Sequence, residues 1–334
     1  MRRFFAVLCC LLLLCASASA GDVVFGSVSA DRGSEYIDMG DEVVTDWNAF
    51  IAFLKEFPDL KKVDMFATQI TRDQVALLEE ALPDIAFGWN LQLMKYKNKH
   101  IVRTDATAFS TLHGKCPNHY SEEFALLKYC TDLLALDLGH NNLTDLSFLQ
   151  SMPRLRVLIL GENQKMKDVT EIGNLKDLEY LELFSCGITD ISPLTSLTHL
   201  MDLNLGNNKV EDWRPLKKMT WLKRLWIPGM TAKAMSAADL EELQEALPDT
   251  VIMADRKYKD NPTGNGWRTD PKTKVNDPHY DVVYEIFQTG VYIPFPESAP
   301  LPGEDGMEVT DLDPADLGEP APDAEEIPAE TSNP

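Results

Sequence analysis

Four residues of metal-binding type lie near one another in the middle of the chain. His113, Cys116 and His119 are three positions apart, and Cys130 follows later. Imidazole nitrogens and thiolates are ligands that zinc prefers. No second close pair completes a known zinc spacing, and a turn that carries one core cysteine accounts for the same residues. The sequence therefore predicts no metal at this place.

Carboxylates offer a second chemistry, because two of them can act together as general acid and general base. Glu182 could pair with Asp202 or with Asp137, although acidic residues are frequent along the whole chain. A segment that begins at Asp311 partly matches a calcium loop, but it lacks the glycine at the sixth position and the glutamate at the twelfth. The short motifs of serine hydrolases, P-loop enzymes, zinc peptidases and dinucleotide-binding enzymes are absent from the sequence. The sequence therefore predicts a protein that is not an enzyme and uses no cofactor.

Repeated leucines form the elements that must position these side chains. The frame L-x-x-L-x-L, closed by isoleucine in its last copy, recurs every 22 or 23 residues and starts at Leu133, Leu155, Leu178, Leu200 and Leu222. Each copy predicts a short strand whose alternate residues face one side. One strand cannot bury that side alone, so neighbouring copies stack around a shared core. We therefore expect an α/β solenoid with a parallel concave β-sheet.

A polar residue closes most copies of the frame three positions after its last leucine. This residue is Asn141, Asn163 and Asn208 in three copies and Cys186 in a fourth. We expect each asparagine side chain to satisfy backbone groups where the chain leaves the strand, so that the asparagines form a ladder between coils. Cys186 fits the same position as a buried thiol.

Longer repeats flank these regular ones. The stretches "WNAFIAFLKEF", "RDQVALLEEAL" and "AADLEELQEAL" have the apolar spacing of helices, whereas the shorter middle repeats predict 3₁₀ turns. The segment "LQLMKYKNKHIVRTD" predicts a hairpin. We expect strands near residues 37, 63, 88, 110, 136, 158, 181, 203, 225 and 253. The strands near 88 and 110 follow from spacing alone, because no leucine frame marks them.

The two ends of the chain differ from the repeats in composition. Residues 1–20 contain a basic start, an apolar run and an A-S-A triplet, which is the order of a secretory signal peptide. A lipoprotein signal would use Cys15, but Leu14 is bulky where that processing favours a small residue. Residues 297–330 hold twelve acidic residues, no basic residue and many prolines, which predicts a disordered tail.

We therefore expect a secreted or cell-envelope protein with five parts. They are a signal peptide (1–20), an N-terminal cap (21–47), the repeat solenoid (48–255), a C-terminal cap (256–295) and the acidic tail (296–334). The C-terminal cap carries an apolar helical face at Tyr280, Val283, Ile286 and Phe287. The formal charge of −22 opposes binding to nucleic acid, and no segment after the signal is apolar enough for membrane insertion.

The repeats resemble a known class of proteins. The motif "ITDISPLTSLTHL" resembles the short leucine-rich repeats of bacterial internalin-like proteins. Three further stretches, "YIDMGDEVVTDWNAFIAFLKEFPDLKKVDM", "VRTDATAFSTLHG" and "NPTGNGWRTDP", resemble secreted leucine-rich repeat proteins of Gram-positive gut bacteria. The resemblance covers residues 36–295. It implies a binding scaffold for a protein or glycan partner, rather than a catalyst.

The concave face of such a sheet is formed by the residues that lie between the leucines. Large apolar and aromatic side chains at exposed positions mark interaction sites, and polar side chains around them set specificity. The candidate ligand-binding residues are Val157, Ile159, Tyr180, Glu182, Phe184, Asp202, Asn204, Arg224 and Trp226. The same face is expected to continue through Asp64, Trp89, Thr111 and Asp137.

Two other functions remain open from the sequence. A structural envelope protein could use the repeats as a spacer or for self-assembly, and a glycan-active or metal-dependent hydrolase is a less favoured alternative. The binding function predicts that Tyr180, Phe184 and Trp226 stay exposed in the monomer. The alternatives to exposure are burial between copies or beneath the acidic tail.

Overall fold

The computed structural model describes residues 21–298, except 69, 94–99, 112–117, 234, 259–265 and 271. Several sequence-based expectations lie outside the described residues. They concern the signal peptide at 1–20, His113 and Cys116 of the zinc hypothesis, and the tail beyond 298 with Asp311.

The N-terminal part contains a hairpin, three parallel strands and a second hairpin. The first hairpin pairs β1 (Asp22–Phe25) with β2 (Val28–Asp31). The parallel strands are β3 (Tyr36–Asp38), β4 (Lys62–Asp64) and β5 (Ala86–Gly88), with α1 (Trp47–Leu54) and α2 (Arg72–Ala81) between them. The second hairpin pairs β6 (Asn90–Leu93) with β7 (His100–Arg103) and confirms the predicted excursion.

Seven parallel strands follow in chain order and form the main sheet. They are β8 (Ala108–Ser110), β9 (Ala135–Asp137), β10 (Val157–Ile159), β11 (Tyr180–Glu182), β12 (Asp202–Asn204), β13 (Arg224–Trp226) and β14 (Val251–Met253). The helical segments are α3 (Ala237–Ala246), α4 (Pro278–Thr289) and the 3₁₀ helices Ser121–Tyr129, Ser147–Ser151, Ile172–Asn174, Ser192–Ser196, Arg214–Lys218 and Arg256–Tyr258. The α/β leucine-rich repeat solenoid is therefore confirmed, with a strand at each of the ten expected places.

The register of two strands differs from the expectation. The structure aligns Gly88 with Asp64, and Ser110 with Asp137. Trp89 and Thr111, which we expected in this row, each lie one position beyond it, and both are buried. A slip of one residue moves a side chain to the opposite face of a strand, and these two strands have no leucine frame that marks their register.

One face of the main sheet is apolar throughout. The central leucine of each frame is fully buried, at Leu136, Leu158, Leu181, Leu203 and Leu225. The other side of this core is closed by the 3₁₀ helices. In four consecutive repeats an aspartate shortly before the 3₁₀ helix accepts the backbone N–H two residues later, and these residues are Asp145, Asp168, Asp190 and Asp212. Such local hydrogen bonds favour a turn over a longer helix.

The asparagine ladder is confirmed in detail. The amide of Asn163 donates to the carbonyl oxygens of Leu138 and Leu160, at 3.0 and 2.8 Å, and its Oδ1 accepts the N–H of Leu143 at 3.0 Å. Each asparagine therefore joins its own coil to the preceding one. Cys186 is a free, buried thiol whose Sγ donates to the Leu160 carbonyl at 3.4 Å. Burial raises the pKa of this thiol to about 12.

We expect Asn163→Ala to lower the free energy of unfolding by about 2 kcal/mol, because the buried N–H of Leu143 loses its acceptor and the carbonyl oxygens of Leu138 and Leu160 each lose one of two donors. Urea unfolding would measure the change. The matched control is Asn174→Ala, since Asn174 is exposed in the 3₁₀ helix of the same repeat. An equal loss in both variants would contradict a role of the ladder in stability.

The N-terminal hairpin packs against the first helix through phenylalanine rings. Phe25 of β1 lies 5.3 Å from Phe50 and 5.4 Å from Phe53, measured between ring centroids, so the hairpin covers the first helix. The helix starts at Asp46, whose side chain accepts the N–H of Ala49 at 3.0 Å. These ring contacts hold the hairpin against the first helix.

Candidate functional site

The nine candidate residues lie side by side on the concave face of the main sheet. Val157, Tyr180, Asp202 and Arg224 form one row across four strands, and Ile159, Glu182, Asn204 and Trp226 form the next. Phe184 follows β11, and its ring covers Gly161, where a Cβ atom would come within 2.4 Å of it. The expected adjacency is confirmed.

Their exposure is not as expected. All nine side chains are buried, and the largest exposed fraction among them is the 9% of Arg224. The prediction that Tyr180, Phe184 and Trp226 stay exposed in the monomer is wrong. The reason is that the chain covers this face with its own residues 266–295, which we call the C-terminal strap.

The strap crosses the concave face instead of closing the end of the solenoid beyond β14. At one end, the carbonyl oxygen of Trp267 accepts a hydrogen bond from Arg224 of β13 at 3.0 Å. Helix α4 contacts β8 and β9, and its own side chains Val283 and Ile286 are buried. At the other end, the N–H of Tyr292 donates to the hydroxyl of Thr107, next to β8, at 2.9 Å. The interpretation of this segment as an end cap is corrected accordingly, because its apolar helical side faces the sheet.

Glu182 is the centre of the contact between sheet and strap. Its carboxylate is fully buried and accepts hydrogen bonds from the indole N–H of Trp267 at 2.8 Å and from Nε of Arg268 at 3.0 Å. Nη2 of Arg268 donates to the second carboxylate oxygen, and the hydroxyl of Tyr180 donates to the first. Burial raises the pKa of the Tyr180 hydroxyl, so it remains a proton donor. The guanidinium and the carboxylate form a bidentate pair.

Asp202 and Arg224 form a second charged contact. Nε and Nη2 of Arg224 donate to the two oxygens of Asp202 at 2.9 and 3.0 Å. The strap adds His279, whose Nδ1 lies 2.6 Å from Asp202, and Asp277, whose Oδ2 lies 2.6 Å from Arg224. Burial alone raises the pKa of the Asp202 carboxyl, but the hydrogen bonds from His279 and Arg224 outweigh burial and lower it. Burial raises the pKa of Asp277.

Aromatic rings fill the space between these charges. Trp267 is fully buried, with its ring 5.2 Å from that of Trp226 and 5.6 Å from that of Tyr180. The guanidinium of Arg224 lies 4.5 Å from the centre of the Trp267 ring, within the range of a cation–π contact. Phe295 lies against Tyr180 near the end of the strap, at 6.3 Å.

A small cleft remains between α4 and the sheet. Its volume is about 160 Å³, and its lining includes Ser110, Asp137, Arg268 and Tyr280. Asp137 is buried and accepts hydrogen bonds from Ser110 at 3.2 Å and from the N–H of Gly139 at 3.0 Å. Burial raises the pKa of this carboxyl to about 6, in spite of these hydrogen bonds.

The acidic groups of this site are paired with other side chains. Glu182 and Asp202, which we considered as an acid–base pair, are each engaged by cationic side chains. Within the described part of the chain, no group of three histidine, cysteine or acidic residues is placed to hold a metal ion. Two of the four residues considered as zinc ligands are described. Nδ1 of His119 lies 3.3 Å from Oε2 of Glu123, and the Cys130 thiol donates to the Arg103 carbonyl at 3.7 Å. Burial raises the pKa of the Cys130 thiol to about 12.

Sequence reasoning missed the strap side of the site. Trp267 and Arg268 stand in "NPTGNGWRTDP", which we assigned to a cap, and His279 opens the helix whose apolar side was noted. The available signal was this apolar side together with an adjacent tryptophan and arginine, which are enriched where proteins contact one another. The sequence pattern could not show which surface these residues meet.

Comparison with known proteins identifies the repeats. A family model described as Leucine Rich repeats (2 copies) matches residues 131–174 and 176–218. Leucine-rich repeat-containing protein 4B of Homo sapiens is 35% identical over 74 residues, which are 21% of this chain and 10% of that protein. The proteins of Mus musculus and Rattus norvegicus match equally. The chain thus spans about a tenth of the length of these curated relatives.

Three of the solved structures with a similar fold are bacterial proteins. An internalin of Listeria monocytogenes is 20% identical, with 62% of this chain and 64% of that chain covered and a TM-score of 0.35. Internalin C2 of the same organism is 25% identical, with 44% and 70% covered and a TM-score of 0.31. A leucine-rich repeat protein of Leptospira interrogans is 20% identical, with 60% and 50% covered and a TM-score of 0.35. Among the described residues, no helix has the length and apolar character needed to cross a membrane.

Proposed function

We propose that this leucine-rich repeat protein is an exported interaction module that binds a protein partner through its concave face. The observation that carries the proposal is the difference between the two faces of the main sheet. One face is a row of leucines, whereas the other presents aromatic rings, Glu182, Asp202 and Arg224 in positions that already hold a polypeptide segment. Parallel strands hold such side chains rigidly, which reduces the entropic cost of binding.

The side chains of this face are better suited to selecting a binding partner than to stabilising the fold. Buried charge pairs contribute little net stability compared with apolar packing, but they discriminate strongly between partners that match them and partners that do not. Tryptophan, tyrosine and arginine are the side chains that dominate binding energy in protein interfaces. The nine candidate residues include all three types.

We expect a strap-weakened variant, Trp267→Ala, to capture a partner more strongly than the wild type, because its concave face is more often open. Purified residues 21–334 would be tested for binding to arrays of host and bacterial surface proteins and of glycans. The matched control is Trp221→Ala, which removes a tryptophan from the turn before β13. The solution mass of each protein would be measured in parallel.

The outcomes separate the candidate functions. A protein hit that Trp267→Ala strengthens and a further Asp202→Ala substitution abolishes supports binding through the concave face. A hit that neither substitution changes places the binding surface elsewhere and contradicts the proposal. An empty array together with a mass above that of the monomer indicates self-assembly, and a glycan hit indicates a different class of ligand.

A further inference from the structure

We infer that the C-terminal strap is a built-in ligand, and that the concave face recognises an aromatic residue followed by arginine on a protein segment. An external partner that carries such a pair would bind by displacing Trp267 and Arg268. This inference rests on the proposed function and specifies its partner chemistry and its regulation.

The contact between strap and sheet has the composition of an interface between proteins. The sheet contributes Glu182, Asp202 and Arg224, and the strap contributes Arg268 and Asp277 as oppositely charged partners. Interfaces between units of one chain resemble transient protein–protein interfaces and are more polar than a core. The opposite face of the same strands belongs to the core. There, the central position of every repeat frame is a buried leucine, so that face is apolar. The strap therefore contacts the solenoid as a bound segment.

The pair of adjacent residues is read by two different parts of the face. The Trp267 ring fits between Trp226 and Tyr180, while its N–H donates to Glu182. Arg268 extends over Phe184, 5.7 Å from the ring centre, and forms the bidentate contact with the same carboxylate. Glu182 thus accepts hydrogen bonds from both members of the pair. A segment with only one member would leave part of this buried carboxylate unsatisfied, which is costly.

The strap leaves one polar group of the face without a partner. The indole N–H of Trp226 is buried and finds no acceptor among the described residues. A competing segment that supplies an acceptor at this place can bind better than the strap does. Displacement by an external protein therefore has a structural basis on the same face.

The test uses a labelled synthetic peptide of residues 266–295 as the probe. The receptor is the full chain with Trp267→Ala and Arg268→Ala, whose own strap is weakened. We expect this receptor to bind the peptide at least about tenfold more tightly than the wild type does, since the wild-type strap competes. A peptide with alanine at both positions of the pair is the matched control, and a third substitution in the receptor, Glu182→Ala, is expected to abolish binding.

Hydrogen exchange of the unmodified protein provides a second measurement that needs no variant. In the closed form the backbone N–H of Tyr292 donates to the Thr107 hydroxyl beside β8, and that of Gly290 donates to the Ile286 carbonyl within α4. We expect them to exchange through openings that leave β9 to β13 protected, because the strap leaves the face as a unit. Exchange of strap and strands with one common free energy would overturn the inference.

The peptide experiment and the partner array test the two hypotheses separately. No binding of the peptide to the folded, strap-weakened receptor would overturn recognition of the aromatic–arginine pair, whatever the array shows. Peptide binding with an empty array would support that recognition and would contradict the partner-binding function. A protein hit that the peptide does not compete with would overturn the shared chemistry of partner and strap.

Discussion

Arg268→Leu is expected to destabilise the contact between strap and sheet by about 4 kcal/mol. If the whole contact contributes less than this, the strap is released and the loss stops at that value. The substitution leaves the Glu182 carboxylate, which is fully buried, without its cationic partner. The neutral donors Trp267 and Tyr180 remain, but they do not compensate a buried negative charge. Urea unfolding followed by tryptophan fluorescence would measure the loss, since the ring of Trp267 lies in the contact.

A second substitution distinguishes loss of charge pairing from loss of packing. Glu182→Leu in the Arg268→Leu background removes the isolated charge, so we expect the double variant to regain a large part of the lost free energy. The control is Arg214→Leu, which breaks an exposed ion pair with Asp212 and is expected to change the free energy of unfolding far less, because solvent screens this pair. A double variant that is no more stable than Arg268→Leu alone would contradict the pairing argument.

Asp137→Asn is expected to raise the free energy of unfolding by up to about 3 kcal/mol at pH 7, which follows from a pKa difference of about two units. Burial raises the pKa of Asp137 from 3.8 to about 6 in the folded protein. The folded state therefore keeps its proton over a pH range in which the unfolded state has released it. As the pH rises through this range, the free energy of unfolding falls.

The chain itself contains the side chain that removes this penalty. Asn204 occupies the position of Asp137 in a later repeat, and its Oδ1 accepts the N–H of Gly206 at 3.0 Å, as Asp137 does from Gly139. An asparagine thus keeps the local hydrogen bond without a charge. Unfolding would be measured between pH 3.5 and 7, with the exposed Asp249→Asn as control. The two proteins should converge below about pH 4, and an unchanged pH slope would show that the buried Asp137 carboxyl does not cause the pH dependence.

The repeats were predictable because their signal is local and recurrent. The leucines at 133 to 205 mark both the strands and their inward face, and Asn163 marks the end of a strand. Where leucines are missing, as around Trp89, the sequence indicated a strand but not its register. Periodicity defines an element well only when buried positions repeat within it.

The closed state of the candidate site was not predictable in the same way. Tyr180 and Glu182 lie on the face that we identified, but their burial depends on Trp267 and Arg268, more than 80 positions away in the chain. The sequence pattern shows that a strand has a polar side. Whether that side faces solvent, another molecule or the same chain depends on long-range contacts. Such contacts produce no repeating pattern in the sequence.

The strap also limits how this protein can change in length. Each repeat of a solenoid normally contacts only its neighbours, so whole repeats can be gained or lost. In this chain one segment is anchored near β13 by Trp267 and near β8 by Tyr292. Insertion of a single coil between them would increase the distance between these anchors by about 5 Å, the spacing of one strand. The length of the strap therefore fixes the number of coils between its two anchors. A change in the number of these coils would require a matching change in the length of the strap.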